Sequence, residues 1–145
     1  MADEPQKLAI LVFDDAIDRV HYALIVAAAA AAINQQVTLF FAGQALFALV
    51  DSVDDGTPGW HRLACSSSGQ TASQFDTTVQ LRGAAGMETL ITSCRDLGVR
   101  FIVCEVATRL ASLEPQELRQ DLPIEIAGAT TLLASAERDG RILSF

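Results

Sequence analysis

The stretch METLITSCRDLGVRFIVCEVATRLASL (residues 87–113) decides the fold class, because it joins a helix, a buried strand and the start of a second helix. The first helix is predicted over residues 87–97, and Gly98 ends it as a C-cap. Residues 99–103 form a short apolar run, which is typical of a strand buried on both faces. The second helix is predicted to begin at Glu105. This alternation is typical of an α/β protein with a parallel sheet.

The same pattern extends in both directions from this stretch. Further strands are predicted at residues 8–13 (LAILVF), 37–41 (VTLFF), 124–127 and 141–143, and further helices at residues 18–33, 44–50, 115–120 and 130–138. We expect the first strand to be central and Asp18 to cap the first helix. The alternation predicts a single-domain flavodoxin-like or Rossmann-like three-layer sandwich with a five-stranded, mainly parallel sheet.

Two segments depart from this alternation in composition. Residues 27–32 are six alanines, which favour a helix that lies flush against the sheet or against a symmetry mate. Residues 51–85 are rich in Asp, Gly, Ser, Thr and Gln, and they read as a long loop or excursion from the domain. We therefore expect one domain over residues 1–145 with an excursion at about 51–85.

Composition and charge exclude several classes of function. The net charge of −8 and ten scattered basic residues argue against nucleic-acid binding. Three cysteines without CxxC spacing and two histidines predict neither a disulfide framework nor a metal site, and they favour a reducing cytoplasm. The apolar run at residues 20–33 is too short for a membrane span, and the N-terminus does not resemble a secretory signal. No GxGxxG or Walker motif is present, so we expect no cofactor.

Cys104 is the main candidate functional residue, because it ends the predicted strand at residues 99–103. In parallel sheets, ligands bind beyond the carboxyl ends of the strands. The first-turn N–H groups of the following helix would favour a thiolate, which is the reactive form of cysteine. Glu105 would oppose the thiolate if its carboxylate faced the sulfur. The alternative is that Cys104 is only a small apolar residue of the core.

Other residues are weaker candidates, each with a structural alternative. Cys65 in the excursion could act as a resolving or auxiliary thiol for Cys104. Asp14 could orient a reactant of this thiol, although acidic residues after a strand often cap the next turn. Three residues at strand-to-helix turns could bind an anion through backbone N–H groups, unless turn geometry alone explains them: Gly43, Gly128 and Thr130. His21 could serve as a base, whereas Cys94 is expected in the core.

Three stretches of the sequence together resemble the DsrE/DsrF-like sulfurtransferases, and more closely their long-loop, peroxiredoxin-like branch. They are DRVHYALIVAAAAAAINQQVTLFFAGQAL (residues 18–46), the stretch at 87–113 quoted above, and LPIEIAGATTLLASA (residues 122–136). They cover most of the chain outside residues 51–85, and Cys104 is the residue that matches the family's reactive cysteine. The resemblance implies a cysteine that accepts sulfane sulfur as a persulfide and passes it to a partner protein.

The resemblance also implies a homo-oligomer, since the family's assemblies are typically dimers, trimers or hexamers. Two other functions stay open at this stage. One is a non-catalytic oligomeric binding module on the same fold, in which Cys104 is buried. The other is a thiol peroxidase that uses Cys104 with Cys65 as resolving cysteine. Alkylation distinguishes the first from a sulfur carrier, and a disulfide formed after peroxide treatment identifies the second.

Overall fold

The computed structural model describes residues 5–145, in which a five-stranded sheet lies between helices on both faces. The strands are β1 (Lys7–Val12), β2 (Gln36–Phe41), β3 (Arg100–Cys104), β4 (Ile124–Ala127) and β5 (Arg141–Ser144). The helices are α1 (Ile17–Ala32), α2 (Ala72–Leu81), α3 (Met87–Asp96), α4 (Glu105–Leu110) and α5 (Ala129–Ala134), with short 3₁₀ helices at Gly43–Leu49, Gly59–Arg62 and Pro115–Glu117. The predicted five-stranded α/β sandwich is therefore confirmed.

The strand order in the sheet is β4-β3-β2-β1-β5, and all four pairings are parallel. The chain moves outward from β1 to β4 and then returns to place β5 on the far side of β1. The prediction that the first strand is central is therefore wrong, because β2 holds that position. β1 is still buried on both faces, as its apolar run indicated, since helices cover both sides of it.

The two faces of the sheet have unequal cores. The larger core contains alternate strand residues such as Ile10, Leu39 and Val103, together with residues of α1, α3 and α4. The smaller core contains the intervening residues Ala9, Phe40 and Ile102, covered by Leu132 of α5 and by Ala136, which follows that helix. α5 lies on the opposite face because β4 and β5 are connected in the reverse direction across the sheet, and right-handed crossovers then require the opposite side.

The alanines of α1 bring this helix close to the sheet. Ala23 and Ala27 are fully buried, and their small side chains allow the helix backbone to approach the strands. Asp18 does not cap the helix as predicted, because Ala16 is the N-cap residue and Asp18 lies in the first turn. The carboxylate of Asp14 instead accepts a hydrogen bond from the Ala16 backbone N–H at 2.8 Å. The Asp14 side chain, two residues before the N-cap residue, thus stabilises the turn that precedes α1.

Residues 51–85 are not simply a loop, because they contain α2, which is anchored by a buried carboxylate. Asp76 of α2 accepts hydrogen bonds from the Met87 backbone N–H at 2.7 Å and from Gln80 Nε2 at 2.7 Å. Met87 is the first residue of α3, and its N-cap residue Gly86 has no side chain to satisfy that N–H. Asp76 of the neighbouring helix α2 therefore accepts the hydrogen bond that an N-cap side chain of α3 would normally accept.

His21 of α1 packs against the excursion at residues 51–85. His21 of α1 is 6% exposed, and its Nε2 donates a hydrogen bond to the carbonyl oxygen of Ala85 at 2.9 Å. Its ring also packs edge-on against Phe75 of α2. These contacts hold His21 between α1 and the excursion, and they account for its burial without a role as a base.

A charge network fixes the excursion to two further segments. Trp60 Nε1 donates to the Glu88 carboxylate at 2.8 Å, and the Arg119 guanidinium contacts the same carboxylate through two nitrogens at 2.8 and 2.9 Å. Arg119 is 9% exposed and also binds Asp121 with two hydrogen bonds, which hold the pKa of the Asp121 carboxyl below its usual range. The excursion is therefore part of the folded domain.

Candidate active site

Cys104 is the last residue of β3 and the N-cap residue of α4. It is a free cysteine and is partly exposed. Its position in β3 directs the side chain to the face of Ile102, and it also contacts the edge of the larger core. The structure thus places Cys104 at the carboxyl edge of the sheet, where the sequence predicted it.

Small residues on the neighbouring strands surround this position. Ala127 of β4 is the register partner of Cys104, and Gly128 follows it. On the other side Phe41 pairs with Val103, so that the Ala42–Gly43 pair follows at the level of the sulfur. None of these four residues is charged. The strand ends on either side therefore carry small, uncharged residues, and the one charged residue of β4, Glu125, is paired with Arg100 at 2.7 Å.

Gly43 is needed for the turn that follows β2. Its φ of +55° lies in the left-handed region, where residues with a Cβ are strained. A Cβ at this position would also meet the Phe13 ring at 3.2 Å. Phe13 itself is 64% exposed, so an aromatic ring lies on the surface of this edge. Gly43 is thus placed where predicted, for reasons of turn geometry and packing.

Glu105, the residue after Cys104, is paired along the helix. Its Oε1 lies 2.6 Å from Arg109 Nη2, one turn further along α4. The Thr108 hydroxyl donates to the carbonyl oxygen of Glu105 at 2.7 Å. The sequence analysis missed Arg109, although its spacing of four residues from Glu105 is the ordinary signal for a helical ion pair.

The remaining predicted residues of the sheet edge have local roles. The Asp14 carboxylate is occupied by the Ala16 N–H and lies 3.5 Å from Arg19 Nε. Gly128 is the N-cap residue of α5, with an extended backbone and open space around its Cα. Thr130 lies in the first turn of α5 and is exposed. All three lie at the carboxyl edge with Cys104, as expected for residues that follow parallel strands.

The other two cysteines occupy contrasting environments. Cys65 is exposed, and the preceding Ala64 is held by backbone hydrogen bonds to Asp15 and Ile17 at 2.8 and 2.9 Å. These bonds keep Cys65 beside the β1–α1 connection, and β2 lies between that strand and β3. Cys94 is fully buried, and burial raises the pKa of its thiol to about 12. Cys94 is thus a core residue, as expected.

Other features of the described chain bear on ligands. Between residues 5 and 145, no group of three or more His, Cys, Asp or Glu side chains is arranged to hold a metal ion. No helix in this part of the chain is long and apolar enough to cross a membrane. A polar cleft of about 350 Å³ lies beside Arg119 and is lined by Glu88 and Asp121. It was not foreseen, because residues so far apart in sequence give no local signal.

Comparison with known proteins identifies relatives of the whole chain. The family model described as "DsrE/DsrF-like family" matches residues 6–145. The structure resembles the crystal structure of the ychN protein from E. coli with a TM-score of 0.63 and 16% sequence identity, and the match covers 97% of this chain and 99% of that one. At this identity the likeness supports the fold. No curated protein sequence matches at a significant level.

Proposed function

Because the chain belongs to the DsrE/DsrF-like family, which is generally linked to sulfur relay, we propose that it is a sulfurtransferase or sulfur carrier that holds sulfane sulfur as a persulfide on Cys104. The observation that supports this proposal is that Cys104 is a free, partly exposed cysteine at the carboxyl end of β3. This is also the position at which the chain resembles the reactive cysteine of the family.

The proposed reaction is two successive thiol exchanges. In the first, the Cys104 thiolate attacks the outer sulfur of a donor persulfide, R–S–S⁻, so that a new S–S bond forms and the donor leaves as R–S⁻. In the second, a thiolate of the acceptor protein attacks the outer sulfur on Cys104 and regenerates the Cys104 thiolate. Each step requires an accessible thiolate and no metal or triad.

The contrast among the three cysteines supports Cys104 as the carrier. Cys94 is excluded by its full burial, since a thiol that stays protonated does not attack a donor. Cys65 is exposed, but it follows a backbone segment tied to the start of α1 and does not lie at a strand end. Cys104 combines partial exposure with small uncharged neighbours on both adjacent strands.

The proposal extends to assembly and location. α1 carries no charged residue from Val20 to its end, yet Tyr22 is 57% exposed and Ala29 is exposed. A helix that is apolar on every side is normally covered, and a second copy is the occupant expected in an oligomeric family. Three cysteines without a disulfide are consistent with a reducing cytoplasm.

Intact-mass spectrometry tests the proposed function directly. Reduced protein is incubated with thiosulfate, polysulfide or a persulfidated donor protein, in parallel with Cys104→Ser and Cys65→Ser. We expect wild type and Cys65→Ser to gain the mass of one or more sulfur atoms, which a reductant removes, and Cys104→Ser to gain none. Cys65→Ser is the matched control, because it removes the other exposed thiol.

The alternatives give different results in the same experiment. If no donor and no alkylating reagent modifies Cys104, the carrier function fails and the chain is a binding module on this fold. If peroxide instead produces a Cys65–Cys104 disulfide while no sulfur is gained, the protein is a thiol peroxidase.

A further inference from the structure

We propose that Arg109 is a positioning residue for the chemistry of Cys104, because it holds the carboxylate of Glu105 along α4 and keeps that charge from opposing the thiolate. The inference rests on the proposed function for the importance of Cys104. It assigns a role to Arg109, which acts through Glu105 and not by contact with a sulfur donor or acceptor.

The geometry of α4 carries the first step of the argument. Glu105 is adjacent to Cys104 in sequence, so its flexible side chain can orient its carboxylate toward or away from the sulfur. The ion pair to Arg109 at 2.6 Å selects the orientation that runs along the helix. Both side chains have free space, with exposures of 47% for Glu105 and 75% for Arg109. The orientation therefore depends on this pair more than on packing.

The surroundings of Cys104 carry the second step. The residues at the ends of the neighbouring strands, Ala42–Gly43 after β2 and Ala127–Gly128 at the end of β4, are uncharged, and so is the first turn of α5. Asp14 at the end of β1 is occupied by the Ala16 N–H and the nearby Arg19. Glu105 and Arg109 are thus the charged pair on the element that begins at Cys104. On β4, Glu125 lies two residues before Ala127, and Arg100 binds its carboxylate through hydrogen bonds at 2.8 and 2.7 Å, which compensate its charge. Glu105 is therefore the charged side chain whose orientation Arg109 controls.

The test is a double-mutant cycle that measures the rate of Cys104 alkylation by iodoacetamide as a function of pH. The reagent is neutral, so its approach is not itself steered by charge. All variants carry Cys65→Ser, which leaves Cys104 as the accessible thiol because Cys94 is buried. The variants are Arg109→Gln, Glu105→Gln, the combination of both, and Arg109→Lys as the charge-conserving control.

We expect Arg109→Gln to slow alkylation near neutral pH on the order of threefold, because the released carboxylate then opposes the thiolate. Glu105→Gln should stay near the parent rate, because Arg109 already holds that carboxylate along the helix. In the Glu105→Gln background, Arg109→Gln should have little effect, since the carboxylate that it controls is absent. Arg109→Lys should stay near the parent rate because lysine also pairs at this spacing. The differences should shrink at high salt, which screens an exposed pair.

Two results would overturn the inference. Equal slowing by Arg109→Gln in both backgrounds would mean that the guanidinium acts directly on the sulfur, and no slowing would mean that the pair is irrelevant. The experiment is separate from the test of sulfur transfer. If the cycle behaves as expected while no donor loads Cys104, the proposed function fails and the control of the thiol by Arg109 stands. If the protein loads sulfur but the cycle is flat, only this inference fails.

Discussion

Replacement of Asp76 by alanine should destabilise the protein by about 2–3 kcal/mol, because this carboxylate joins α2 to the start of α3. Asp76 is 8% exposed and accepts two hydrogen bonds at 2.7 Å, one from the Met87 backbone and one from Gln80. The Met87 N–H has no other acceptor from its own helix, since Gly86 is the N-cap residue. A buried N–H left without a partner costs about 1–3 kcal/mol, and loss of the Gln80 bond adds to this.

The crowding at Gly86 provides a second variant that probes the same contact. A Cβ at Gly86 would lie 2.8 Å from Asp76 Oδ1 and 2.8 Å from Gln80 Nε2. Gly86→Ala should therefore destabilise wild type by more than it destabilises Asp76→Ala, in which the clashing carboxylate is absent. The two changes should couple by about 1 kcal/mol in a double-mutant cycle.

Urea unfolding followed by fluorescence measures these effects, with the single tryptophan, Trp60, as the probe. Trp60 is 4% exposed and is hydrogen bonded to Glu88 in the first turn of α3, so it reports on the affected region. The matched control is Asp54→Ala, which removes the same charge from an exposed position of the excursion. If Asp76→Ala and Asp54→Ala have the same free energy of unfolding within about 0.5 kcal/mol, the structural role of Asp76 is refuted.

Two further predictions concern buried groups. Arg119→Met should lower the free energy of unfolding, measured in urea, by about 2 kcal/mol, because it removes four charged hydrogen bonds to the carboxylates of Glu88 and Asp121. The loss is limited because both carboxylates are half-exposed and can bind water instead. If Arg119→Met loses no more stability than Arg82→Met, which replaces an exposed arginine, the prediction is wrong. Burial raises the pKa of the Cys94 thiol from 9.0 to about 12, so the thiol loses its proton at lower pH in the unfolded chain than in the folded protein. The free energy of unfolding should therefore fall as pH rises above 9, by about 1.4 kcal/mol per pH unit. Cys94→Ala should lose that part of the slope, and parallel curves of free energy against pH for the two proteins would show the reasoning to be wrong.

The strands were predictable because burial on both faces leaves a local trace. β4 begins and ends at the predicted residues, and β3 is displaced by one residue at each end. The helix α3 ends before Gly98 as predicted, although the C-cap residue is Leu97 and Gly98 follows it with a φ of +81°. These features depend on residues adjacent in sequence. The position of Cys104 followed from them, since it required only that β3 be parallel and end there.

The parts that were missed depend on contacts distant in sequence. α2 was missed although Thr71 and Gln74 form a capping box at its start. Its fully buried side is formed by Ala72 and the carboxylate of Asp76, so its apolar periodicity is weak. The central position of β2 depends on where β5 is inserted, which no property of β1 determines. The Arg119 network joins residues 60, 88, 119 and 121, and only the fold brings them together.

In the candidate site, the approach of a reactant to Cys104 and the charges near Cys104 depend on different elements of the fold. Access to Cys104 is set by the sheet, because the strands on either side end in small residues and Phe13 is exposed beside Gly43. The proposed adjustment of charge comes from α4, since Glu105 and Arg109 lie on the helix that begins at the cysteine. If Arg109 acts as proposed, substitutions on the surface of this short helix change the reactivity of Cys104 without altering the sheet that presents the sulfur. The surface residues that follow the cysteine are accordingly the positions at which we expect the reactivity of this site to be tuned.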